Sequence, residues 1–201
     1  MPNRLDRISA NLAAFPRQAL DPTGRRRAAV AIVLSLRRDR LTYILTRRAL
    51  TMRRGAGNYA LPGGGLDPGE DAIDGARRET LEELGVPLER EAALGLLDDF
   101  VTLGGHVVTP VVFWSSERLV LKPDPVEVGR AWFEPVDALN HPEAPRAEPA
   151  QGGGAPILRM FANRSWVNPP TAAWLYQFRE VCLHGRHTRV ADVGQPAWTA
   201  R

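Results

Sequence analysis

The chain has 201 residues, 44% of them hydrophobic and 24% charged, with a formal net charge of +3. That size suits one globular domain with a full core plus terminal extensions, and the single cysteine, Cys182, excludes an intrachain disulfide and a cysteine-rich zinc site. The longest apolar run, 28-AAVAIVLSL-36, is less than half of what a bilayer crossing needs, and the N-terminus lacks the continuous apolar stretch of a secretory signal; a cytoplasmic protein with no membrane partner is expected.

In chain order, 1-MPNRLDRISANLAAF-15 has a helix-like pattern and 21-DPTGRRR-27 reads as a turn, giving a helical extension over 1–27. The runs 28–36 and 41–47 read as two strands joined by the charged turn 37-RRDR-40. Residues 50–71 are loop-rich, with Gly and Pro throughout. A helix is predicted from about Asp71 to Leu84, with acids at its start and Gly85 where a C-cap glycine belongs. Strands are expected at 94–102, 107–115 and 128–134, and Pro110 implies an edge or a bulge in the second. The Pro-, Ala- and Gly-rich segment 141–156 reads as a flexible insertion. Beyond it, 157–167 is expected to be extended, 170–185 helical and the tail 186–201 frayed. The main domain is therefore set at 28–185, in an α/β fold with a mixed sheet.

Charge is unevenly spread. Ten arginines fall between Arg25 and Arg54 against one acid, Asp39. Such a run can bind nucleic acid or simply sit solvated. Here it is spread along strands and a loop, and the C-terminal half is not basic, so a compact polyanion fits equally well. Lys122 is the sole lysine, and no GxxxxGK[ST], GxSxG or GxGxxG occurs.

The run 78-RETLEELGV-86 crowds Glu79, Glu82 and Glu83 into five residues. At about 100° per residue they fall at roughly 0°, 300° and 40°, on one face. Ile73, Ala76, Thr80 and Leu84 fall on an adjacent stripe that can be buried. A like-charge pair at i,i+4, such as Glu79 and Glu83, costs about 0.2–0.5 kcal/mol on a bare helix. Only Arg78, four before Glu82, offers a helical counter-ion. A solvated acidic face is the plain explanation for a generic helix; a divalent cation is the more economical one here. Oxygen ligands without a Cys/His cluster favour Mg²⁺ or Mn²⁺ over zinc. Beside an arginine-rich loop, such an ion suggests phosphate chemistry.

Gly64, Glu70 and the run from Arg78 to Val86 resemble the Nudix box, Gly-x5-Glu-x7-Arg-Glu-U-x-Glu-Glu-x-Gly-U, with U apolar. Thr80 is the one departure. Upstream, 44-ILTRRALTMRRGAGNYALPGG-64 is similar to the signature of coenzyme A pyrophosphatases within that superfamily. Leu45, Thr46, Arg48, Ala49, Arg53, Gly57, Pro62, Gly63 and Gly64 fit; Ile44 and Leu61 are mild changes, and Gly55 stands where some relatives carry histidine.

The resemblance implies a Nudix-type α/β/α sandwich. It implies Glu79 and Glu83 as the principal metal ligands, and Glu82 as a further ligand or the base. It implies a backbone carbonyl at Gly63 or Gly64 facing the metal, a Glu70–Arg78 ion pair, and Arg48 and Arg53 on the substrate's phosphates. Arg47 should face the other way. Glu127 or Glu117 could serve as an additional acid, although each reads first as a surface charge. Trp166, Trp174, Tyr176 and Phe178 read as core, with contact to adenine or to the pantetheine arm as the alternative. The implied activity is metal-dependent hydrolysis of coenzyme A or acyl-CoA to 3′,5′-ADP and (acyl-)4′-phosphopantetheine. The alternatives are a diphosphatase for ADP-ribose, NADH or another nucleotide derivative, and a non-catalytic nucleotide-sensing module. The partner expected is a small nucleotide, not a nucleic acid, and a homodimer is compatible with the resemblance.

Overall fold

The computed structural model describes residues 4–150 and 153–200. Its centre is a long hairpin: β1 (Arg26–Arg37) and β2 (Arg40–Arg48) pair antiparallel, and Arg38 and Asp39 take left-handed turn conformations between them. Both strands are buried over most of their length because both of their faces are covered. Along β1 the two-residue period sends Ala29, Ala31 and Val33 into one core cluster and Val30, Ile32 and Leu34 into the other.

The sheet is mixed. The short strands β3 (Tyr59–Ala60) and β4 (Gly63–Gly65) add to β2 and β1 respectively, antiparallel. Helix α1 (Arg4–Ala14) precedes the hairpin, and α2 (Ala72–Leu84) follows the glycine-rich loop. Then come β5 (Ala93–Leu96), β6 (Phe100–Val101), β7 (His106–Ser115) and β8 (Val128–Pro135). Strand β7 runs parallel to β1, β5 and β6 pair with its other edge, and β8 pairs with β2. Helix α2 covers one face through Ala72, Ala76 and Leu84. The other face is covered by Ile8 and Leu12 of α1 and by α3 (Thr171–Phe178), which continues as one wider helical turn to Leu183. The result is an α/β/α sandwich.

Several expectations are corrected. Of the two alternatives for Pro110 the edge is excluded, because β7 is internal and Pro110 faces Val30 in the parallel ladder, while the β5–β7 pairing slips register between Ala93 and Gly95. The Pro110 carbonyl accepts from Leu97 N at 3.0 Å, and a residue's N–H side and carbonyl side coincide in a strand. The missing N–H of Pro110 therefore faces the break between β5 and β6. That break divides the single strand expected over 94–102, because Asp98 and Asp99 turn their carboxylates inward to hydrogen bonds. Part of 141–156 is ordered: β9 (Arg146–Glu148) pairs with β10 (Ile157–Ala162), which pairs with β11 (Ser165–Val167) in a second, three-stranded sheet. Residues 151–152 of that segment lie outside the described residues.

The C-terminal segment is fastened, not frayed. Val190 is buried, Arg189 pairs with Asp98 at 2.8 Å, and the Gln195 side chain donates to Val101 O and accepts from Leu103 N. Among the described residues no helix is long and apolar enough to cross a membrane.

Candidate active site

Asp71 starts α2: its carboxylate accepts from the backbone N–H groups of Ile73 and Asp74, both at 2.9 Å, and Arg90 holds it from outside. Those contacts, the Arg90 bond first, lower its pKa to about 2. Gly85 ends the helix in the left-handed conformation, donating to Leu81 O. Thr80, the departure from the apolar pattern, is fully buried but satisfied: its hydroxyl donates to Ala76 O at 2.6 Å.

Above the helix lies the glycine loop. Gly63 pairs with Val30, and any Cβ there would run into the backbone of Ala29 and Val30. Gly64 is needed for another reason: an added Cβ would stand 2.5 Å from the Glu79 carboxylate. Gly75 likewise leaves room for Leu66 and Glu70 to lie over the helix.

The glutamates occupy three different environments. Glu83 is 5% exposed, and burial pushes its carboxyl up to about 8, with the Glu79 charge adding to the rise; the Gly63 N–H and Arg48 partly offset it. Glu79 is largely covered and its pKa is raised by burial, against the opposing pull of Arg78. Glu82 is 59% exposed at the side chain. Arg78 links two of them, donating to Glu79 at 2.9 Å and to Glu82 at 3.1 Å. The same guanidinium holds Glu70 at 3.1 and 3.2 Å and Gly65 O at 2.8 Å, so the Glu70–Arg78 pair pins the loop to the helix as expected.

Glu127, in the turn just before β8, also bears on Glu79 and Glu83, raising both, whereas Glu117 lies in a separate cleft with Arg37, Arg38 and Arg118. That cleft, about 1040 Å³, is the larger one, and none of the three box glutamates lines it.

A smaller cavity of about 420 Å³ opens beside Gly63; none of the box glutamates lines it either, and it is tied to Glu83 through Gly63 and Arg48. Arg48 and Arg54 line it together with aromatic residues of the C-terminal part. Arg53 is exposed on the same turn and does not line the cavity. Arg47 faces away, as its strand position requires, and donates to Gly57 O at 2.9 Å. Trp166 and Trp174 line the cavity; Tyr176 and Phe178 do not. Sequence reasoning missed Arg54, Asn168 and Trp198. Only Arg54 carried a signal, its place in the basic run.

The donor set fits a hard divalent cation. Two carboxylates are held under a glycine loop, one nearly buried and short of compensating charge. Among the described residues no three His, Cys, Asp or Glu side chains converge on one point, so water and substrate oxygens would have to complete an octahedral shell, as is usual for Mg²⁺.

The fold, the glycine loop and the carboxylate helix define one class of protein, and residues 25–151 match the NUDIX domain family. The chain belongs to the Nudix hydrolase family. It is 34% identical over 133 residues to the uncharacterized Nudix hydrolase NudL of Photorhabdus laumondii, a match covering 66% of this chain and 70% of that protein. It is 34% identical over 130 residues to Nudix hydrolase 3 of Caenorhabditis elegans, covering 62% of this chain and 53% of the relative. Among solved structures, a NUDIX hydrolase from Alicyclobacillus acidocaldarius matches with TM-score 0.50 at 20% identity, over 77% of this chain and 90% of that one. A MutT/nudix family protein from Enterococcus faecalis matches with TM-score 0.50 at 18% identity, over 72% and 51%. These last two share the fold.

Proposed function

We propose that the chain hydrolyses the diphosphate linkage of coenzyme A or an acyl-CoA, using Mg²⁺ or Mn²⁺. The observation that carries this reading is the position of Arg48. It belongs to the upstream signature, yet its charge bears on the buried Glu83 and its side chain borders the cavity beside Gly63. An arginine whose guanidinium fork suits phosphate oxygens thus bears on a carboxylate proposed to hold the metal.

In this reading Glu79 and Glu83 hold the cation, with a carbonyl of Gly63 or Gly64, and Glu82 is a further ligand or the base. A bound Mg²⁺ supplies Lewis acidity and charge neutralisation at the diphosphate. A box glutamate takes a proton from the attacking water. The new P–O bond forms as the bond to the bridging oxygen breaks, leaving 3′,5′-ADP and 4′-phosphopantetheine. Arg48, Arg53 and the neighbouring Arg54 neutralise the phosphates, including the 3′-phosphate, which alone carries about −1.5 to −2. Arg78 and Glu70 orient the helix and loop without touching substrate.

The test is product analysis with CoA, 3′-dephospho-CoA, ADP-ribose and NADH, alongside a Glu83→Gln control. Release of 3′,5′-ADP from CoA, lost in the control, supports the proposal. Preference for ADP-ribose or NADH overturns the substrate and keeps the hydrolase. Binding without turnover of any substrate overturns both in favour of a sensor.

A further inference from the structure

The cavity beside Gly63 has a wall that the family match does not include. Residues 25–151 supply its floor, through Tyr59, Leu61 and Gly63. Its other side comes from Trp166, Asn168, Trp174 and Trp198, all beyond that match. Trp174 sits on α3 with its ring edge-on to Phe100, 6.2 Å between centroids, and is 5% exposed. Trp198, 44% exposed, lies three residues after Gln195, whose side chain bonds the C-terminal segment to Val101 and Leu103.

Two of these lining residues carry an unanswered polar atom. Trp174 Nε1 and Asn168 Oδ1 are both buried and without a hydrogen-bond partner. Buried polar groups are almost always partnered, and each exception calls for an explanation. One atom is an obligate donor and the other an amide acceptor. One donor and one acceptor, on residues that line the same aromatic-walled cavity, match the complement of an adenine edge. The base's N6–H donates to an amide oxygen while a ring nitrogen accepts, and the ring face stacks on indole or phenol.

We propose that this cavity seats the adenine base of the substrate, with Trp174 and Asn168 reading its edge and Arg48 and Arg54 meeting the phosphates attached to its ribose. The inference deepens the reading of this site as a nucleotide diphosphatase and rests on it. It assigns the adenosine half of the substrate to the C-terminal elements, leaving the pantetheine half outside this cavity.

The test uses the full chain, with 3′,5′-ADP and 4′-phosphopantetheine as separate probes in calorimetric titrations. Trp174→Phe keeps a ring but removes the donor, and Asn168→Leu removes the acceptor. Each is expected to weaken 3′,5′-ADP by about tenfold, the loss of one good hydrogen bond, while 4′-phosphopantetheine affinity stays within about twofold. Equal losses for both probes, or none for 3′,5′-ADP, overturn the assignment. Should either variant fail to fold, saturation-transfer NMR on the wild-type chain with CoA decides. Strongest transfer to adenine H2 and H8 supports the proposal, and strongest transfer to the pantetheine methyls overturns it. Neither readout requires turnover. Adenine binding without CoA hydrolysis keeps this pocket while overturning the proposed reaction; CoA hydrolysis with unchanged variants does the reverse.

Discussion

The carboxylate of Glu79 lies against the backbone of Gly64, 2.5 Å from where any other residue would place its Cβ. The obstacle is the far end of a flexible side chain, so Gly64→Ala is expected to fold with little loss of stability while Glu79 swings out of place. Hydrolysis should then fall by about 100-fold or more, the scale expected when a catalytic group is displaced. Gly63 is the opposite case. Its Cβ would meet the backbone of Ala29 and Val30, and its φ is 152°, so Gly63→Ala should break the β1–β4 pairing. Melting curves and turnover of the two variants, side by side, check the distinction: a Gly64→Ala protein as unstable as Gly63→Ala would refute it.

The buried Glu83 makes metal-free stability depend on pH. Burial and the Glu79 charge raise its folded pKa to about 8 from an ordinary 4.5. A raised folded pKa contributes stability that is present below the unfolded value and lost as pH rises through the folded one. The protein in chelator should therefore weaken between about pH 4.5 and 8, by up to about 1.4 kcal/mol per unit from this group. Glu83→Gln should flatten that slope and be the more stable protein at pH 9 without metal. Mg²⁺ should stabilise the wild type and leave the variant unmoved. Thermal melts at pH 6 and 9, with and without Mg²⁺, measure all three, and parallel pH slopes for the two proteins would exclude the effect.

Much of this site is legible in the sequence because its signals are local. The spacing of Glu79, Glu82 and Glu83, the Asp71 cap and the Gly85 stop each act within one helix, and their placement follows from 100° per residue. The Arg47/Arg48 alternation follows from the strand period. What stays hidden depends on distant partners. The three glycines of β4 read as loop because they form a strand only where β1 accepts their close approach. Asp98 and Asp99 sit in an apolar run that reads as one strand, and the groups that break it, Arg17, Gln177 and Arg189, lie about 80 or 90 residues away. The tail has no periodicity, and its hold comes from Gln195 and Arg189 bonding across the chain. Asn168 and Trp198 become notable only once they share a cavity.

Arginine placement gives a graded expectation. Arg48 borders the cavity and bears on Glu83, Arg54 lines the cavity, and Arg47 is committed to Gly57 O. Arg48→Ala should cost the most in kcat/KM for CoA, about 100-fold for a charged phosphate contact worth ~3 kcal/mol. Arg54→Ala should chiefly raise KM, and by more than Arg53→Ala, while Arg47→Ala leaves both constants within about twofold. Steady-state kinetics of the four variants rank them, and a larger loss at Arg53 than at Arg54 would move the phosphate site out of the cavity and onto the open turn.

Asp98 joins the two termini to the sheet. Its carboxylate, 7% exposed, accepts from Gln18 N at 2.7 Å, from Gln177 Nε2 at 2.8 Å and from Arg189 Nη1 at 2.8 and 2.9 Å. Replacing it with alanine strands these donors, and removing one partner of a buried pair costs about 3–5 kcal/mol. Arg189 is 31% exposed, so Arg189→Ala, which leaves Asp98 with its other two donors, should cost less, about 1–3 kcal/mol. Because Arg189 also donates to Pro16 O, its loss frees the C-terminal segment that carries Trp198 to the cavity. Arg189→Ala should therefore weaken 3′,5′-ADP binding although it is remote from the glutamates, while Mg²⁺ binding stays unchanged. Denaturant melts give the first quantity and calorimetry the second. A variant that loses stability but binds the nucleotide with wild-type affinity would show that the cavity does not depend on the anchored tail.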